Sequence, residues 1–253
     1  MHRHSTGGSE RADRPPSRIF LLSHMRAYTS LVGHILGSHP EIDGYYELHR
    51  SYVTPDDLER QRAQYAAHDN LKPGSRYLFD KLLHNDYALD LALPGLADAT
   101  VLVALRPPEP TLQSILALFV RKDPADLYAN PTGAALYYRD RLAALAAFAE
   151  RHPGRIRYFD APLVRADPPR LLAALAGWLE LSTPLSERYR IFSRTGVAGA
   201  GDSSPALVEG RILRETAPPP EIALDPASLD ELEAAYRDCR ARLVAHAGDA
   251  VLL

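Results

Sequence analysis

The sequence predicts a three-layer α/β fold: a central parallel sheet of about four or five strands with helices on both faces. Three observations predict it. Short, unbroken apolar runs recur at residues 19–22 and 101–105, and a third run, 156–159, is interrupted only by Arg157, the pattern of strands buried on both faces. Stretches of helical length and composition separate them. The start of several of those stretches is marked by a cap residue followed by proline, as in Thr54-Pro55, Asp167-Pro168 and Asp225-Pro226.

The elements follow in order. Residues 19–22 form the first strand and 29–37 the helix after it, which Pro40 stops. Residues 41–47 make a connection with a short extended piece. Thr54, Pro55 and the acids Asp56 and Asp57 open a helix running to about residue 68. Residues 76–81 are a second strand, 86–93 a short helix broken by Pro94-Gly95, and 101–105 a third strand. A helix follows over about 111–120, then a polar, turn-rich stretch to Pro131. Residues 133–151 form a long alanine-rich helix and 156–159 a fourth strand. Asp167 caps a helix over 168–179, a glycine-bearing loop spans 193–211, and Asp225 caps a last helix to about 245.

Composition narrows the class. A chain of 253 residues can bury a large core and still be one domain, and residues 17–253 read as one. Residues 1–16 carry charges and glycines without an apolar centre, so they read as a disordered tail and not as a secretory signal. A net charge of −3 gives no reason to expect a nucleic-acid partner. No apolar run reaches the ~20 residues of a membrane span. The lone Cys239 excludes an internal disulfide and a cysteine zinc site, and it fits a reducing, cytoplasmic compartment.

In a doubly covered parallel sheet, ligands sit beyond the C-terminal strand ends. That rule puts Arg26, Lys81 and Arg106 on one rim, with Thr29, Ser30, Thr111 and Ser114 at the starts of the helices that follow. A helix N-terminus after a strand offers free N–H groups and a positive dipole end. Two such places suggest a ligand with two separate phosphates. The nucleotide-triphosphate loop G-x-x-x-x-G-K-[ST] is missing, as is the dinucleotide fingerprint G-x-G-x-x-G. No acid ends the 101–105 strand to hold magnesium.

Four segments then resemble the sulfotransferases that use 3′-phosphoadenosine 5′-phosphosulfate, whose fold is related to that of the P-loop NTPases. Met25-Arg26-Ala27-Tyr28-Thr29-Ser30-Leu31 is similar to their 5′-phosphosulfate loop P-[RK]-S-G-T-[ST]-L, with Met25, Ala27 and Tyr28 in place of proline, serine and glycine. Arg106 and Ser114, eight positions apart, are similar to the family's 3′-phosphate site. Residues 158–163 with Asp167-Pro168 and Leu179 resemble a scaffold segment, Y-E-D-L…D-P. Arg194-Thr195-Gly196 with Gly201-Asp202 resembles the late R-K-G-x-x-G-D loop that closes over the donor. The resemblance implies a metal-free sulfotransferase with that donor as co-substrate. Donor contacts then fall to Arg26, Ala27, Tyr28, Thr29, Ser30, Arg106, Ser114, Arg194 and Gly196.

The same resemblance gives two more roles. Glu47 stands where one branch of the family keeps its base, and Lys81 in Asp80-Lys81-Leu82-Leu83-His84-Asn85 stands where a lysine touches the donor's bridging oxygen. His49 and His84 are alternative bases, ranked behind Glu47. Sulfuryl transfer asks for such groups on its own account: cations, here Arg26 and Lys81, where charge grows on the leaving oxygen, and a carboxylate to take the acceptor's proton. Tyr28 bears on activity, because glycine at that place lets backbone approach a phosphate closely. Three readings therefore stand: an active sulfotransferase, a nucleotide-binding protein of the same fold without transfer, and a kinase-like phosphoryl transferase. The acceptor is read only as a small-molecule or carbohydrate hydroxyl. Tyr45, Tyr46 and Tyr52 read as packing, and the oligomeric state is not legible.

Overall fold

The computed structural model describes residues 16–69, 71–196, 205–215 and 222–253. Six parallel strands make one sheet: β1 (Ser17–Leu22), β2 (Ile42–Asp43), β3 (Tyr77–Leu82), β4 (Thr100–Leu105), β5 (Ile156–Asp160) and β6 (Asp249–Val251), in the order β2-β3-β1-β4-β5-β6. The four longer strands are those expected. Two short edge strands, β2 and β6, complete the sheet.

Among the described residues seven α-helices surround it: α1 (Thr29–Ser38), α2 (Pro55–Asp69), α3 (Pro108–Lys122), α4 (Pro131–Arg151), α5 (Leu163–Ala166), α6 (Pro168–Trp178) and α7 (Pro226–His246). Alternation along each strand divides its side chains between two cores. Phe20 and Leu22 of β1, with Val101, Val103 and Leu105 of β4, pack with α3, α4 and α7. Ile19 and Leu21, with Leu102 and Ala104, pack with α1, α5 and α6. The unbroken apolar runs are thus explained by burial on both sides.

Two expectations need correcting. Residues 86–93 form turns rather than a helix, and Leu89 pairs across an isolated bridge with Tyr52. Burial of Leu91 and Leu93 under the α4 side of the sheet outweighs the local helical composition. The third helix begins at Pro108, three residues before the expected start, since proline is at home in the first turn. The expected 1–16 tail lies outside the described residues except for Pro16.

The close seating of α1 depends on a small residue. A Cβ added at Gly33 would collide with the Tyr45 carbonyl oxygen. The chain leaving β2 can therefore lie directly against α1, and Tyr45, Tyr46 and Tyr52 are buried as packing residues.

Candidate functional site

The rim expected from sequence exists. In register, Leu22 ends β1 opposite Leu82 of β3 and Val103 of β4, so the loops carrying Arg26, Lys81 and Arg106 leave the sheet together. Arg26 and Tyr28 both have positive φ, 64° and 58°. Tyr28 is the N-cap of α1, in the left-handed conformation and with no side-chain cap hydrogen bond. A left-handed L-residue costs roughly 1–2 kcal/mol. Tyr28 therefore adopts a backbone shape that glycine adopts freely. The first turn of α1 contains no acid, and Thr29 and Ser30 are buried there.

Three guanidinium groups converge at this turn. The Arg26 Nε donates to Ser114 Oγ at 2.8 Å, and Arg106 donates to the Arg26 carbonyl at 2.9 Å. Arg106 and Arg165 each lie over the Tyr28 ring, 4.6 and 4.7 Å from its centroid. Such cation–π contacts hold a charge beside a ring without cancelling it. Burial lowers the Arg106 pKa from its usual value, and the neighbouring Arg26 and Arg165 lower it further. Like charges gathered and partly desolvated are a chemical invitation to an anion. Lys81, only 3% exposed, donates to Ser30 Oγ at 2.9 Å and adds a fourth cation on the same turn.

The described part of the late loop lies elsewhere on α1. Arg194 stacks on the Tyr46 ring at 4.7 Å, Thr195 shares a hydrogen bond with His34, and Gly196 has φ 77°. The contacts that place Arg194 and Thr195 are with Tyr45, Tyr46, Phe192 and His34 of α1. Gly201 and Asp202 lie outside the described residues.

Glu47 lies in the chain between β2 and α2. Its side chain is 7% exposed, its Oε1 has no hydrogen-bond partner, and His49 Nδ1 stands 3.6 Å away. His84 is lowered from its usual pKa chiefly by burial, against the pull of Glu47, so all three candidate bases share one neighbourhood. Asp80 holds this loop in place. Its carboxylate accepts from Leu48 N–H at 3.0 Å, from Lys81 N–H at 2.8 Å and from the Tyr52 hydroxyl at 2.6 Å. Its pKa is pushed up to about 7, chiefly by burial. Among the described residues no group of three or more His, Cys, Asp or Glu side chains could hold a metal ion.

No family model matches the sequence, and no curated protein does. Solved structures do match. The sulfotransferase domain from the curacin biosynthetic pathway superposes with a TM-score of 0.58 at 14% identity, over 92% of this chain and 99% of that one. The sulfotransferase domain from the Synechococcus PCC 7002 olefin synthase does so with a TM-score of 0.55 at 16% identity, over 90% and 98%. The fold is that of a sulfotransferase domain.

Within this sulfotransferase fold, sequence reasoning passed over three groups at the rim. Arg165 lies just beyond the scaffold segment 158–163, and only the turn of α5 brings it to Tyr28. His24 is fully buried and neutral, its pKa lowered to about 3 mainly by burial. Its Nδ1–H donates to the Met25 carbonyl at 2.9 Å and its Nε2 accepts from Arg106 N–H at 3.1 Å. Asp80 was visible only as the neighbour of Lys81. No helix among the described residues is long and apolar enough to cross a membrane.

Proposed function

We propose that the chain transfers a sulfuryl group from 3′-phosphoadenosine 5′-phosphosulfate to a hydroxyl of a small-molecule or glycan acceptor. The observation that carries this reading is the meeting of Arg26, Arg106 and Arg165 at the start of α1, with Lys81 on Ser30. The residues present fit such a donor: three half-buried arginines, a buried lysine and an acid-free helix start suit a ligand bearing two phosphate groups. When bound, the donor supplies an activated sulfuryl group on a 5′-phosphate leaving group and a second phosphate at its 3′ position.

In this reading each residue has one task. Arg26, Lys81 and the N–H groups of residues 29 and 30 meet the charge that grows on the leaving oxygen. Arg106 and Ser114 hold the 3′-phosphate, and Ala27 and Tyr28 shape the loop. Arg194 and Gly196 start the segment that closes over the donor. Glu47 takes the acceptor proton as the new sulfur–oxygen bond forms. His49, 3.6 Å from Glu47, can pass that proton towards solvent. The transferred group carries a single negative charge, so the reading invokes no metal.

One observation favours a second reading. The Tyr28 ring occupies the space between two of the arginines, as in a binding protein that has given up transfer. Transfer of labelled sulfate from the donor to a panel of phenols, alcohols and sugars separates the two. Labelled product supports the enzyme. Tight donor binding with no product on any acceptor supports the second reading.

A further inference from the structure

The three loops of the rim come from three strands, and one helix touches the exits of all of them. Near its start α4 carries Tyr137, Tyr138 and Arg141, which face the sheet together by helical spacing. Tyr137 Oη accepts from Met25 N–H at 2.7 Å and donates to the Leu83 carbonyl at 2.8 Å. It thus spans the residue before Arg26 and the chain two residues past Lys81. The Tyr138 hydroxyl donates to the Arg106 carbonyl at 2.7 Å. Arg141, 5% exposed, donates to the carbonyls of Ser23 at 2.8 Å and Leu82 at 2.6 Å. In the loop after β1, the buried His24 joins Met25 to Arg106.

Strand ends leave backbone donors and acceptors without ladder partners, and buried ones must be satisfied. Here one helix satisfies them at all three exits. We propose that Tyr137 and Tyr138 are positioning residues that set the spacing of Arg26, Lys81 and Arg106, with Arg141 as their anchor. The proposal rests on the donor-binding reading above. Rigid support behind a charged site is what holds its groups at productive distances.

Each tyrosine makes a separate forecast. Tyr138→Phe frees the Arg106 loop, whose arginine is assigned to the 3′-phosphate. Tyr137→Phe loosens the Met25 and Leu83 exits, on the 5′ side. The experiment measures calorimetric affinity for adenosine 3′,5′-bisphosphate and for adenosine 5′-monophosphate, at a temperature well below unfolding, with thermal midpoints alongside. The control is Tyr77→Phe, whose hydroxyl makes a comparable 2.7 Å bond to the Leu179 carbonyl far from the rim.

In Tyr138→Phe, preference for the bisphosphate over the monophosphate falls about three- to tenfold, within the range of one lost hydrogen bond. In Tyr137→Phe, affinity for both nucleotides falls by a similar factor and the preference is kept. Tyr77→Phe lowers the midpoint without moving either affinity. Unchanged affinities in both site variants, or losses equal to those of Tyr77→Phe, overturn the positioning role while leaving the functional reading intact. A wild-type chain that binds no bisphosphate overturns the functional reading, and the positioning role goes with it.

Discussion

Arg106 donates to the backbone carbonyl of Arg26 at 2.9 Å, so the loop after β4 is tied directly to the loop after β1. Arg26 in turn reaches Ser114 at the head of α3. Two segments that look independent in the sequence are one bonded unit.

That unit makes Arg106 costly to remove. Arg106→Ala is expected to weaken binding of adenosine 3′,5′-bisphosphate by about 1.5–3 kcal/mol, the range for hydrogen bonds to a charged group. Titration calorimetry reads it, and an unchanged dissociation constant removes Arg106 from the site.

Arg26 and Ser114 touch, so their effects should not add. A double-mutant cycle of Arg26→Ala and Ser114→Ala, read in bisphosphate affinity, is expected to show a coupling of about 0.5 kcal/mol or more. Additive losses would mean that the 2.8 Å contact has no part in binding.

Glu47 is the base in the proposed transfer and has no assigned part in holding the donor. Glu47→Gln is expected to leave bisphosphate affinity near wild type and to cut turnover by about a hundredfold or more. Wild-type turnover would pass the base role to His49 or His84.

His24 and Asp80 give opposed pH dependences. His24 stays neutral when folded down to about pH 3, while an unfolded histidine takes up a proton near 6.5. Its contribution is therefore present above pH 6.5 and is lost as pH falls from there towards 3. Asp80 holds its proton when folded up to about pH 7, while an unfolded aspartate loses it near 3.9. Its contribution is present in acid and is lost as pH rises towards 7. The two slopes offset each other between about pH 4 and 6.5. Denaturant unfolding of Asp80→Asn should therefore gain stability with rising pH across that window more steeply than wild type, by on the order of 1 kcal/mol per pH unit. His24→Gln should tilt the opposite way. Parallel pH profiles in all three proteins would contradict both assignments.

Gly33 permits the contact between α1 and the chain after β2. Gly33→Ala must push the Tyr45 carbonyl away and is expected to destabilise the protein by about 1–3 kcal/mol, seen as a lower thermal midpoint. An unchanged midpoint would show that α1 can shift without cost.

The order of strands and helices was legible because the centres of β1 and β4 are buried on both faces and so read as apolar runs, and β5 departs from that pattern only at Arg157 and Asp160. β6 was not, because three residues with an exposed Asp249 carry no periodicity, and only pairing with β5 makes them a strand. Residues 86–93 misled because their local composition suits a helix while their burial is set by α4 and the Tyr52 bridge. The rim cations were legible, since each lies at or within four residues of the C-terminal end of a strand. The groups that organise them were not. Arg165, Tyr137 and Tyr138 lie far from those loops in sequence, and they are neighbours only once the sheet has formed. The left-handed Tyr28 also escaped notice, because that conformation is read from glycine or asparagine and not from tyrosine.

Calorimetric titration of the wild-type protein with adenosine 3′,5′-bisphosphate in the presence of a metal chelator, set beside the same titration with adenosine 5′-monophosphate, tests the central claim most directly. The account predicts one binding site per chain, filled without metal and at least tenfold weaker for the monophosphate, as expected for one lost charge-assisted contact. No binding, or equal affinity for the two nucleotides, would contradict it.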